Sequence, residues 1–308
     1  MKKVDDSHVK KAIKLVLDSD YRFDVLAGLG FFKRMDDAEY VRRMFKARMG
    51  YELDLNNPVT FNEKLQWLKL YDRHPEYTMM VDKYEVKQYV ANKIGEKYII
   101  PTIGVWDSFD KIDFASLPNQ FVLKCTHDSG GLFICKDKNT FNIGKAKKII
   151  NKCLKKNFYF YGREWPYKNV APRIIAEQYM EDSCTNELRD YKFFTFNGVV
   201  KALFIASDRQ DTSTETKFDF FDEDFNHLPF TNGHPNAEII PEKPQCFDEM
   251  KYLSEILSRG IPQLRVDFYE VNGKVYFGEL TFSHWGGLVP FVPNIWDKKF
   301  GEWIELPN

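Results

Sequence analysis

Arg265, Asp267 and Glu279 interrupt what would otherwise be an apolar hairpin. The stretch RVDFYEVNGKVYFGEL (265–280) places two β-branched and aromatic runs either side of Asn272-Gly273, a strong hairpin signal. Side chains alternate across a strand, so a plain two-residue loop would set Val266 opposite Glu279. That would bury a carboxylate among apolar neighbours, at a cost of several kcal/mol. A three-residue loop with Gly273 in the left-handed region shifts the parity by one. Val266, Phe268, Tyr276 and Leu280 then share an apolar face, and Arg265, Asp267, Glu279 and Thr281 converge on the other. This second register is the expected one. Two carboxylates beside an arginine suit a divalent cation held together with phosphate oxygens, and without the cation the carboxylates are expected to repel each other. The same face also reads as a solvated surface carrying an Arg–Asp pair.

Other segments offer anion and base contacts. In FVLKCTHDSGG (121–131), Lys124 sits inside an apolar strand and must either reach solvent or meet an anion. The loop after it, with Ser129, Gly130 and Gly131, could fold its backbone N–H groups around phosphate, although it lacks the Walker pattern. The alternative is an edge-strand lysine and an ordinary turn. Lys83 stands near the start of a helix expected over Asp82–Ile94. In RIIAEQYMED (173–182), Glu177 breaks an apolar strand. Gln178, Tyr179 and Met180 follow, where a strand end can offer backbone groups to a purine edge. Asp190 and Lys192 share a face at i, i+2, suited to a sugar hydroxyl and a phosphate, or simply to a surface ion pair. Arg209 and Lys217 could contact phosphate. Asp222-Glu223-Asp224 matches the D-x-D pattern of metal-dependent glycosyltransferases but also reads as a turn. His127 and His284 are too isolated for a metal triad, and neither G-x-S-x-G nor H-E-x-x-H occurs.

The elements that must position these residues are mixed. Residues 1–97 form a mainly helical region in which Val9, Ile13, Val16 and Leu17 share a helix face. Thr60 and Glu63 make a capping box ahead of Phe61, Leu65 and Leu68. Strands then dominate, over 98–105, 121–125, 132–135 and 173–180, and in the hairpins 191–206 and 265–280. Helices are expected at about 144–156 and 247–259. The fold class is therefore α+β. The chain has 308 residues, a net charge of −1, and is 16% aromatic with 27 Phe. Such a charge provides no long-range attraction to nucleic acid or anionic lipid, and no apolar run approaches the roughly 20 residues of a membrane span. Five cysteines without C-x-x-C spacing point to buried thiols in a reducing, cytoplasmic setting.

The order of the pieces resembles the ATP-grasp superfamily. TFNEKLQWLKLY (60–71), IPTIGVWDSFDKIDFASLPNQFVLKCTHDSGG (100–131) and FGELTFSHWGG (277–287) resemble its TupA-like branch, linked with teichuronopeptide and surface-polysaccharide biosynthesis, over about residues 50–295. The resemblance implies two α+β subdomains clasping ATP: a lid over 98–182 and a C-terminal subdomain over 183–308 with the metal site. It implies ATP and Mg2+ as cofactors. Lys83 and Lys124 would meet the phosphates under the loop 127–131, adenine would meet Gln178–Met180 with Glu177 near its amino group, and Asp190 would hold the ribose. Arg265 would stabilise the transferring phosphoryl group, with Asp267 and Glu279 on magnesium. Thr281 stands where many of these ligases have Asn. The implied reaction joins a carboxylate, that of a sugar or glycan precursor, to an amine or amino acid through an acyl phosphate. A glycosyltransferase built on Asp222 and Asp224, and a kinase-like nucleotide binder, are the alternatives.

Overall fold

The computed structural model describes residues 6–128, 130–183, 188–208 and 215–307. Six helices come first: α1 (Asp6–Leu17), α2 (Ser19–Gly28), α3 (Asp37–Met49), α4 (Phe61–Tyr71), α5 (Glu76–Val81) and α6 (Glu85–Ile94). The capping box of α4 forms as expected, with Thr60 accepting from the Glu63 N–H and the Glu63 carboxylate accepting from the Thr60 N–H. The helix expected over 82–94 forms but starts later, at Glu85. α5 stops at Val81, and the Asp82 carboxylate accepts from the Tyr84 and Glu85 N–H groups to start α6. Lys83 therefore lies in a turn between helices.

A four-stranded antiparallel sheet follows, built from β1 (Thr102–Trp106), β2 (Phe121–Cys125), β3 (Leu132–Cys135) and β4 (Ile174–Gln178) in the order β1-β4-β2-β3. Between β3 and β4 lie α7 (Ile143–Cys153) and α8 (Tyr159–Gly162). Period-two alternation divides β2: Phe121, Leu123 and Cys125 pack against Ala146, Ile150 and Cys153 of α7, which leaves Val122 and Lys124 on the opposite face. Amphipathic α7 thus covers one face of this sheet and leaves the other open.

The second sheet contains β5 (Asp190–Phe196), β6 (Val199–Ser207), β7 (Lys217–Asp222), β8 (His227–Leu228), β10 (Gln263–Val271) and β11 (Lys274–Thr281), in the order β11-β10-β5-β6-β7-β8. β9 (Thr231–Asn232) pairs instead with β12 (Phe291–Val292); α9 (Phe247–Leu257) precedes β10, and α10 (Ile295–Glu302) closes the chain. On one face Phe193, Val266, Phe268, Phe277 and Leu280 pack with α9 and with Val86 and Val90 of α6. On the other, Phe194, Phe196, Phe204 and Phe220 pack with Phe61 and Leu65 of α4 and Phe300 of α10. The Phe61 ring meets Phe194 edge-on at 6.0 Å and Phe300 at 5.7 Å. Much of the aromatic content is spent here.

The hairpin corrects the expected loop while keeping its outcome. Val271 pairs with Lys274, so the loop has two residues, with Asn272 and Gly273 both left-handed (φ 51° and 71°). Tyr269 pairs with Tyr276 and Phe268 with Phe277, so Phe277, not Tyr276, joins the apolar face. The parity shift comes from a β-bulge next to Gly278, beyond which Asp267 faces Glu279, Val266 faces Leu280 and Arg265 faces Thr281. A Cβ at Gly278 would sit 3.0 Å from the Asp267 carbonyl oxygen, so the bulge needs glycine there.

The apolar stripe of α1 stays largely uncovered: Ile13, Val16 and Leu17 are exposed. Cys125, Cys135 and Cys153 are buried thiols as expected, while Cys246 is only half-buried and Cys184 lies outside the described residues. Among the described residues no helix is long and apolar enough to cross a membrane.

Candidate active site

Antiparallel pairing sets three rows of side chains across β5, β10 and β11. Asp190 lies beside Tyr269, Lys192 beside Asp267 and Glu279, and Phe194 beside Arg265 and Thr281. Arg265 is the hub. Its guanidinium donates to both Asp267 carboxylate oxygens at 2.7 Å, to Glu279 Oε1 at 3.1 Å and to Thr281 Oγ1 at 3.0 Å. Lys192 bonds Asp267 Oδ2 and reaches Asp190 Oδ1 at 3.4 Å. Arg265, Asp267, Lys192 and Asp190 are all buried, so neither the solvated-face nor the surface-pair reading survives. Nor do the carboxylates repel each other unaided, because two cations hold them. Position in the sheet explains the burial: β10 and β5 are interior strands with neighbours on both sides.

The charges follow from this enclosure. Burial pushes the Lys192 ammonium down, and Asp267 only partly restores it. Burial also acts to raise the Glu279 carboxyl, but Lys192, Arg265 and Lys83 outweigh it and bring it to about 2. The Glu279 side chain remains 40% exposed, so solvent screens part of that attraction. It stays ionised with an open side. Arg265 also donates to His284 Nδ1 at 2.8 Å, and His284 Nε2 lies 2.9 Å from Asn232 Oδ1. Burial first, then Arg265 and Lys192, push the imidazole well below its ordinary range, so it is neutral, with Nε2 carrying the proton toward Asn232. Sequence reasoning set His284 aside as isolated; its partners come from β9 and β10, far away in the chain.

Between the two sheets opens a cleft of about 520 Å³, lined by Lys124, Glu177, Gln178, Tyr179, Met180 and Asp190. Leu132 and Ile134 line it as well and remain 49% and 40% exposed, an apolar wall from β3 that sequence reasoning missed. Buried Glu177 receives Lys124 at 2.6 Å and Lys87 at 2.5 Å. Burial would raise its carboxyl, but the two lysines prevail and hold it low. Lys87, one helical turn after Lys83, was also missed; the signal was its i+4 spacing from Lys83. The Gln178 N–H is already spent on the Pro101 carbonyl at 3.0 Å, so Tyr179 and Met180 carry the main-chain groups beyond the strand end. Lys192, bonded to both Asp190 and Asp267, joins the cleft to the carboxylate row.

The loop after β2 is tied to the helical side. The Lys83 N–H donates to the Thr126 carbonyl at 3.1 Å, and its ammonium to the Asp128 carbonyl at 2.6 Å. The Gly130 and Gly131 N–H groups both donate to Asp128 Oδ1 at 3.2 Å. The donors expected to wrap phosphate are thus aimed at a carboxylate of their own loop. Ser129 and Arg209 lie outside the described residues.

The family model of the TupA-like ATP-grasp proteins matches residues 63–305. The chain belongs to this family. No curated protein matches the sequence. Among solved structures, a D-alanine–D-alanine ligase from Helicobacter pylori is similar at 13% identity and a TM-score of 0.42, over 79% of this chain and 69% of that one. A D-alanine–D-alanine ligase from Bacillus anthracis complexed with ATP gives 13% and 0.40, over 86% and 83%. An L-amino acid ligase from Bacillus licheniformis gives 11% and 0.43, over 71% of this chain and only 47% of its own. These are distant likenesses, and the site of this TupA-like ATP-grasp protein stands on its own geometry. The D-x-D stretch contributes nothing to it: the Asp222 carboxylate accepts from the Asp224 and Asn226 N–H groups at 3.0 and 2.8 Å and closes the β7–β8 turn.

Proposed function

We propose that the chain is an ATP-dependent, ADP-forming carboxylate–amine ligase that works through an acyl phosphate and amidates a uronic-acid carboxylate of a surface-polysaccharide precursor. One observation carries the reading: Lys192 joins an apolar-walled cleft, suited to a nucleoside, to a buried Arg265–Asp267–Glu279 row suited to phosphoryl transfer. Adenine would lie between Leu132, Ile134 and the Tyr179–Met180 edge, with Asp190 toward the ribose and Lys124 and Lys83 toward the phosphates. Arg265, pinned by Asp267 and His284, would neutralise the transferring group with little reorganisation, since its geometry is set before the substrate arrives.

The donors fit magnesium. Glu279 supplies an ionised, open carboxylate opposite Asp267, and Asp267 and Thr281 keep unused oxygen lone pairs beside Arg265. Bound there, the ion would neutralise phosphate charge as the acyl phosphate forms. Turnover with ATP and glucuronate or galacturonate, scored as ADP release and as hydroxamate when hydroxylamine is the nucleophile, tests the reading. ADP release that depends on both carboxylate and nucleophile supports it. Activity with UDP-sugars and none with ATP would replace it with glycosyl transfer.

A further inference from the structure

Next to the proposed phosphoryl-transfer row lies a buried acid with no part in what has been described. Glu164 is 7% exposed, and among the described residues its carboxylate makes no hydrogen bond or ion pair; the charge acting on it most strongly is the buried Lys69 ammonium. Its Oε1 sits between two glycines: a Cβ at Gly162 would come within 3.0 Å of it, and one at Gly286 within 3.7 Å. Both walls are fixed by the same cation, because the Lys69 ammonium donates to the Gly162 and Gly286 carbonyls at 2.9 Å each. The Gln66 amide holds the Gly286 and Gly287 carbonyls at 3.0 and 2.7 Å. Lys69 spends its bonds on the two glycine carbonyls, so the Glu164 oxygens keep their acceptor capacity for a cationic or hydrogen-bonding guest.

The cradle adjoins the reaction row. Gly286 of its wall follows two residues after His284, which accepts from the Arg265 guanidinium at 2.8 Å. The half-buried Tyr167, pushed far up by burial, lies in the fields of Glu164, Glu279, Arg265 and Asp267. Burial raises the Glu164 carboxyl, with Lys69 and then Arg265 pulling against it.

We propose that Glu164 is the acceptor-amine residue of this ligase: it binds the ammonium form of a primary amine or amino acid and takes a proton from it as the nitrogen attacks the acyl phosphate. The proposal rests on the ligase reading above. The ammonium gives one proton to the Glu164 carboxylate, and the freed nitrogen lone pair forms the C–N bond. The C–O bond to phosphate breaks, its electron pair leaves with the phosphate, and the second nitrogen proton goes to that phosphate. The groups facing Glu164 are Lys69 from α4, Arg265 from β10 and Tyr167 from its own segment. Burial raises its carboxyl to about 7 against the pull of Lys69 and Arg265, which suits a base working near neutral pH.

The test compares two nucleophiles with the full chain, ATP–Mg and a uronic acid. Hydroxylamine is largely unprotonated at neutral pH and needs no base, whereas L-alanine arrives as an ammonium. Glu164→Gln should lower the ratio of alanine amide to hydroxamate by about 100-fold, the range of a positioned base. Glu164→Asp should restore part of it. Where Glu164→Gln fails to melt cooperatively or to bind ADP, Glu164→Asp alone decides, with a selective loss of about 10-fold expected from its shortened reach. A ratio unchanged in either variant, with both products falling together, overturns the amine role and leaves the ligase reading intact. A wild-type chain that forms neither product overturns the ligase reading and this proposal with it.

Discussion

Asp267→Asn separates a pinned ion cluster from a pair of carboxylates waiting for metal. Asp267 is 1% exposed and accepts two 2.7 Å bonds from Arg265 as well as the Lys192 ammonium. Asparagine keeps the shape but presents one NH2 to those donors, so at least one charge-assisted bond becomes a donor–donor contact. Such bonds are worth about 1.5–3 kcal/mol each, and removing one partner of a buried pair costs about 3–5 kcal/mol. Glu279 and Thr281 continue to accept from Arg265, which places the expected loss near the lower end, at about 3 kcal/mol. For a chain of this size each kcal/mol shifts the melting temperature by about 2 °C, so a fall of about 6 °C without nucleotide is expected. Turnover should disappear as well. The assay is urea denaturation and thermal melting of the metal-free protein, with Lys192→Met and the double variant closing a cycle. A coupling of at least about 1 kcal/mol is expected from the contact. An Asp267→Asn protein as stable as wild type, or more stable, would refute the cluster and restore the picture of two mutually repelling carboxylates.

Glu279→Gln should still fold, with some loss of stability at neutral pH, and should lose turnover, since its 40% exposed side chain is open to a ligand. Because the Glu279 carboxyl falls from 4.5 to about 2 on folding, its stabilisation is present above about 4.5 and is lost as pH falls toward 2, so denaturation at pH 5 and pH 3 should show less acid sensitivity in the variant. His284 works in a higher window: the unfolded chain takes up a proton below 6.5 that the folded imidazole refuses. Stability should therefore fall with pH below 6.5 by up to about 1.4 kcal/mol per unit, and His284→Gln should flatten that slope in urea titrations from pH 7 to 5. Lys124→Ala should weaken ATP binding by about 10- to 100-fold in calorimetry while leaving Glu177 paired with Lys87; unchanged affinity would remove Lys124 from the phosphate site.

Local rules account for what was legible in the sequence. The capping box at Thr60 and the hairpin centred on Asn272-Gly273 each depend on a few neighbouring residues and each formed, although the hairpin loop has two residues where three were expected. The carboxylate row was also legible, because burying Glu279 beside Val266 and Phe268 is too costly for the chain to adopt. The means of avoiding it was not: a bulge at Gly278 and a third loop residue shift parity equally, and only packing against β5 and α9 distinguishes them. Partners across long separations lay beyond sequence reasoning for the same reason. His284 finds Arg265 and Asn232, Lys87 finds Glu177, and Lys69 pins the two glycines around Glu164. Propensity and periodicity describe what a segment can form. Which charges share a low-dielectric interior is decided by which segments the tertiary fold brings together, and there desolvation leaves a charge stable only where a partner, or a ligand, meets it.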